Sequence, residues 1–170
     1  MNTLARVCAI DAGTRNFAFC TVDAHNWTKP LHWQKVDLWP PSRHRKQKPT
    51  RQDVIRITRN WVYDNRTMLD ECDVIVLERQ MRDTFIIMNT VIQTLLFDKC
   101  QVVAPVTVGA FYQLPRKRAD KKAAGIEAVQ LYAEIPKSVK TDDLADAWLM
   151  AVYGLIQQRA LPKQALNHLF

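Results

Sequence analysis

A chain of 170 residues, 48% of them hydrophobic, is the size of one ordinary globular domain with a real core, and it leaves little room for a second lobe. Lys and Arg outnumber Asp and Glu by 24 to 17, a net charge of +7 that calls for a polyanionic partner such as nucleic acid or anionic lipid. No apolar stretch approaches the roughly 18 residues that span a bilayer, which excludes a helical membrane protein.

The first pattern, LARVCAI, begins at Leu4 with no basic or apolar leader before it, so no removable targeting peptide is expected. LARVCAI, NFAFCTVD and LHWQKVDLW read as three strands of an antiparallel meander, joined by a tight turn at Gly13 and a loop from Asn26 to Pro30. PPSRHRKQKPTR (40–51) follows as a basic loop without apolar periodicity. Thr50 and Asp53 make a capping-box start, after which Val54, Ile55, Trp61, Val62, Met68 and Leu69 are predicted on one face of a helix ending near residue 69.

DVIVLE (73–78) is a continuous apolar run of the kind found in a strand covered on both sides, closed by Glu78. FIIMNTVIQTLLF (85–97) reads as a helix whose apolar arc is wider than packing on one surface needs. QVVAPV (101–106) is predicted as a fifth strand, LPRKRADKKAAGIEAVQLY as a basic segment running into a helix, and TDDLADAWLMAVYGLIQQRA as the last helix. The helical crossovers set the later strands parallel to the first, so the fold class is α/β, a five-stranded mixed sheet flanked by helices, with one domain over residues 1–170.

Cys8, Cys20, Cys72 and Cys100 stand far apart with no C-x-x-C, and the four histidines are equally scattered, which leaves no support for a zinc site or a Ser/His/Asp or Cys/His arrangement. The cysteines read as small buried residues of an intracellular, reducing compartment. Asp11 directly follows the apolar run of CAIDAGTRN, and an ionised carboxylate there needs a compensating cation, as does Glu78 at the end of its strand. Asp143 and Asp146, three apart, share one face of the last helix. Asp142 and Asp143 also suit the helix dipole, Asp11 suits a turn, and Glu78 suits a salt bridge to Arg79 or Arg82. Taken together, four acids without a Cys/His cluster make an oxygen-only site for Mg²⁺ or Mn²⁺, and two such ions would serve phosphodiester hydrolysis.

IDAGTRN, VIVLERQ and DDLADA, in that order and with KRADKK between the last two, resemble the Holliday junction resolvases of the RuvC group within the RNase H-like (retroviral integrase) fold, most closely the poxvirus-type viral resolvases. The likeness runs from Cys8 to about Gly154. It implies that Asp11, Glu78, Asp143 and Asp146 are the catalytic metal ligands, with Asp142 outside the set. It implies a magnesium-dependent homodimer making paired nicks across a four-way DNA junction, with 5′-phosphate and 3′-hydroxyl ends, in an infected host cell. Arg15 stands where such viral enzymes often carry Lys, and the 40–51 loop has no assigned counterpart.

Arg116, Lys117, Arg118, Lys121 and Lys122 lie between two acid motifs, and either form a solvated helix face or contact phosphates without reading sequence. Lys117 and Lys121, and Arg118 and Lys122, are expected to share faces provided the helix starts that early. Arg15 and Arg79 adjoin the predicted ligands, and Lys140 precedes the acid helix, where it is expected to hold a phosphate or stabilise a transition state. The surplus apolar surface of residues 85–97 fits either a buried core helix or a second subunit. Three rivals stand beside this reading: an RNase H- or YqgF-type ribonuclease on the same fold, a sugar kinase or actin-like ATPase, and a non-catalytic DNA-binding module. The kinase reading needs a second lobe and a second Gly-rich loop, against four glycines in the chain.

Overall fold

A computed structural model of the protein describes residues 5–39, 48–137 and 141–167. Strands β1 (Arg6–Asp11), β2 (Phe17–Asp23) and β3 (His32–Val36) form the predicted meander, and β4 (Val74–Glu78) and β5 (Cys100–Val103) extend it in parallel. The five make one mixed sheet in the order β3-β2-β1-β4-β5. Alternation along β1 sends Val7 and Ala9 into one apolar cluster and Cys8 and Ile10 into another, so the sheet has a core on each face.

The capping box starts α1 (Arg51–Asp64): Thr50 Oγ1 accepts from the Asp53 amide at 3.2 Å, and Asp53 Oδ2 accepts from the Thr50 amide at 3.0 Å. Ile55, predicted on the inner face, is 44% exposed, and Thr58 is buried instead. Its hydroxyl donates to the Val54 carbonyl at 2.7 Å and so enters the core already satisfied. The helix expected to continue to residue 69 breaks at Asn65, whose backbone leaves the helical region while its side chain donates to the Trp61 carbonyl at 2.8 Å; α2 (Arg66–Asp70) follows.

Helix α3 (Asp83–Leu95) lays Met88 and Ile92 against the α1 side of the sheet. Its outer side is open in this chain, with Ile86 43% and the following Phe97 80% exposed, so the wholly buried alternative does not hold. QVVAPV is not one strand: β5 ends at Val103, and Pro105 opens α4 (Pro105–Phe111). Proline is suited to that first helical position because its missing N–H is not needed there. Helices α5 (Arg118–Gln130) and α6 (Thr141–Gln157) complete the second layer, with 3₁₀ turns at Phe97–Lys99 and Lys163–Leu166.

Helix α6 is apolar around its whole circumference because it is the core of its layer: Leu144, Ala145 and every residue from Ala147 to Leu155 are buried. It lies so close to the sheet that a Cβ on Gly154 would fall 2.8 Å from Val7 Cγ1 and 2.9 Å from Val76 Cγ2. The four cysteines are free, three of them buried. No helix among the described residues is long and apolar enough to cross a membrane.

Candidate active site

The parallel register of β1 and β4 ends with Ile10 opposite Leu77, which sets Asp11 and Glu78 side by side one step further on, roughly 4.8 Å apart strand to strand. Ile10 and Leu77 face the α1 layer, so alternation turns Asp11 and Glu78 to the opposite face, shared with Ala9 and Val76. That face carries α6. With Gly154 seated over Val7 and Val76, the helix runs back toward the strands' C-terminal ends, and about three turns earlier the same stripe reaches Asp143. Strand alternation and helical period thus bring four acids from three motifs to one end of the sheet.

Asp11, Glu78, Asp143 and Asp146 line a single open cleft of about 520 Å³, together with Arg15, Arg79, Arg82, Arg118, Lys121 and Lys122. Burial, then the charges of Glu78, Asp146, Asp143 and Asp142, hold the Asp11 carboxyl well above the usual carboxylate range. Burial also raises Glu78, against the lowering effect of Lys121 and of a hydrogen bond from Gln80 Nε2 at 3.4 Å. Asp146 is pushed up to about 6 by burial and the Glu78 charge.

Among the described residues no three acidic, His or Cys side chains as placed are grouped around one ion-sized point. The donor set nevertheless suits a hard divalent cation, being carboxylate oxygens alone, and such a cation would offset both the burial and the neighbouring negative charges that raise Asp11.

The basic residues divide. Arg15, Arg79, Arg118, Lys121 and Lys122 line the cleft, whereas Arg116 and Lys117 are exposed outside it, Lys117 being the extended residue that precedes α5. The expected Lys117/Lys121 pairing of helical faces is therefore absent, because α5 begins one residue later. Lys122 is engaged by Asp142 across the α5–α6 contact, which gives Asp142 a partner and raises the lysine's own proton affinity. Lys140 and most of the basic 40–51 loop lie outside the described residues. Trp39, directly before that loop, donates its amide to the Thr14 carbonyl at 3.0 Å, so the chain departs from the rim of the cleft.

Three contributors were not singled out from the sequence. Asn89, buried in α3, donates from Nδ2 to the Glu78 carbonyl at 2.7 Å and so fixes the strand end that carries the acid. An amide inside the apolar run FIIMNTVI was the available signal. Gln80 bonds Glu78, as above, and Met81, 84% exposed, stands on the cleft wall.

Residues 5–158 match the sequence model of a family described as Poxvirus A22 protein. No curated protein sequence matches the chain. Among solved structures, fowlpox virus resolvase in complex with Holliday junction DNA aligns with a TM-score of 0.62 at 17% identity, over 90% of this chain and 98% of that one. RuvC of T. thermophilus in complex with Holliday junction substrate gives 0.61 at 15%, over 91% and 95%. The yeast mitochondrial Holliday junction resolvase Ydc2 gives 0.68 at 15%, over 98% and 86%. The fold is the RNase H-like fold of the RuvC-type enzymes.

Proposed function

Since the chain belongs to the poxvirus A22 protein family, we propose that it is a Holliday junction resolvase, a structure-selective endonuclease that makes paired nicks in four-way DNA. The observation that carries the reading is the meeting of Asp11, Glu78, Asp143 and Asp146 in one basic-rimmed cleft. These four acids would hold the divalent cofactor, Mg²⁺ with Mn²⁺ as substitute and two ions per site. When bound it supplies the positive charge that activates a water and stabilises the leaving oxygen.

The chain's own groups do the rest. Arg15, Arg79 and Arg118, which line the cleft, would hold backbone phosphates beside the cut and set register without reading bases. Lys121 faces the acids and is the cation available to a non-bridging oxygen of the scissile phosphate. Water adds to phosphorus, the bond to the 3′ oxygen breaks, and the proton passes to that oxygen, leaving 5′-phosphate and 3′-hydroxyl ends. In a side-by-side assay with Mg²⁺, four-way DNA is expected to be nicked at least about tenfold faster than RNA/DNA hybrid or single-stranded RNA, a difference of about 1.4 kcal/mol in the barrier. Preference for hybrid or RNA would transfer the site to the ribonuclease reading, and no cleavage of any substrate would leave a binding module.

A two-fold junction cut on two strands calls for two related sites, and the exposed apolar residues of α3 and edge strand β5 support a homodimer. Ile86 and Val102 line one shallow depression that also takes in the polar residues Arg79, Gln80, Asn89, Thr90 and Gln93. Sedimentation at working concentration is expected to give twice the chain mass; a monomer with full junction cleavage removes the dimer.

A further inference from the structure

Gly109 sits in the middle of α4, is buried, and does not have a positive φ. Its backbone conformation is therefore open to any residue, while a glycine inside a helix weakens that helix relative to alanine. Space, not flexibility, is what glycine provides at this position. A Cβ built there meets one side chain: it falls 3.2 Å from Lys121 Cε and 3.4 Å from Lys121 Nζ. Lys121 comes from the neighbouring helix α5, crosses α4 at Gly109, and ends with its ammonium 3.5 Å from the Pro105 carbonyl, to which it donates. Pro105 and Lys121 both line the acid cleft. The adjacent Lys122 is engaged by Asp142, so the two lysines have different holders.

We propose that Gly109 is a positioning residue for Lys121: by carrying no side chain it keeps open the track along which the lysine crosses α4 into the acid cleft. The proposal rests on the phosphodiester-cutting reading for its consequence, but the placement of Lys121 stands apart from it. A methyl group on residue 109 meets the lysine at its mobile end, so the ammonium shifts and the fold does not.

Gly109→Ala is the informative substitution because helix propensity favours it, which separates loss of positioning from loss of folding. The full-length protein, Gly109→Ala, Lys121→Ala and the double variant would be compared in single-turnover nicking of a four-way junction with Mg²⁺, in junction affinity without divalent ion, and in thermal midpoint. Gly109→Ala is expected to nick about 3- to 10-fold more slowly, with affinity within about twofold and a midpoint no lower than that of the parent protein. The double variant is expected to nick no more slowly than Lys121→Ala alone. Wild-type nicking by Gly109→Ala, or an equal slowing in the Lys121→Ala background, overturns the proposal.

A second readout does not depend on cleavage. Lysine acylation followed by peptide mass spectrometry is expected to show Lys121 labelled at least about twofold faster in Gly109→Ala, with Lys122 unchanged; equal labelling of Lys121 overturns the proposal. If the parent protein nicks no junction, the resolvase reading fails while the labelling arm still decides the placement of Lys121.

Discussion

The Asp146→Asn protein is expected to nick four-way DNA at least about 100-fold more slowly than the parent protein, while binding the junction as tightly or slightly more tightly. The change is isosteric, so α6 keeps its packing: Asp146 lies beside Ala147 and Trp148, both fully buried, and an amide fills the carboxylate's place. What is lost is one charged oxygen donor among four. Arg15, Arg79 and Arg118 on the cleft wall are untouched, and removing a negative charge from the cleft would reduce repulsion of a DNA backbone. Asp11→Asn is expected to behave in the same way. Single-turnover cleavage and fluorescence anisotropy at one fixed salt concentration read the two quantities separately. An Asp146→Asn protein that cuts within about threefold of the parent rate would remove Asp146 from the ligand set.

The metal-free protein is expected to lose stability as pH rises from 5 to 7.5, and Mg²⁺ is expected to restore it at the higher pH only. The sign follows from the acids. Asp146 in the folded protein titrates at about 6, above its ordinary 3.8, and Asp11 and Glu78 are raised as well. Between those values the folded state holds a proton that the unfolded state has released. The resulting stabilisation is fully present below about 3.8 and disappears as pH rises through about 6. For Asp146 the full difference corresponds to about 3 kcal/mol, of which roughly 1.4 kcal/mol is lost between pH 5 and 7.5, a thermal midpoint shift on the order of 3 to 6 °C in a chain of this length. Asp53, whose capping interactions with Thr50 lower its proton affinity, acts in the opposite direction but below 3.8, outside this window. A divalent ion held by these acids would bind only their folded arrangement and only when they are ionised, so its stabilisation is expected to grow with pH. Calorimetry across pH with and without Mg²⁺ measures both effects. A midpoint that rises from pH 5 to 7.5 without metal, or that Mg²⁺ leaves unchanged at pH 7.5, contradicts the assignment of a cation site to these carboxylates. The Asp146→Asn protein is expected to show a flatter profile.

Much of the architecture was legible in the chain because burial leaves a periodic trace. Two-sided apolar runs ending in a charge gave β1 and β4 with Asp11 and Glu78 at their ends, and the apolar circumference of AWLMAV marked α6 as a core helix carrying Asp143 and Asp146 at its start. Where local pattern was ambiguous it misled. The apolar end of QVVAPV reads as a continuation of its strand, and only Pro105 signalled that α4 begins there. Ile55 lies at the edge of the arc set by Val54, Trp61 and Val62, whereas Thr58 lies inside it, so helical position outweighs apolar character in deciding which of the two is buried.

By itself, then, the amino-acid order determined most of the strands and helices and the mixed sheet, since these follow from residue chemistry repeated at a short period, and it pointed to the acids at their ends. The sheet register and the seating of α6 on Gly154 decided that those acids share one cleft. The same packing decided that Lys122 is engaged by Asp142, and that Lys121 crosses Gly109 toward the cleft while Arg116 and Lys117 stay outside. These are relations between residues distant along the chain. They depend on where helices cross and how closely they approach, and no short period records that.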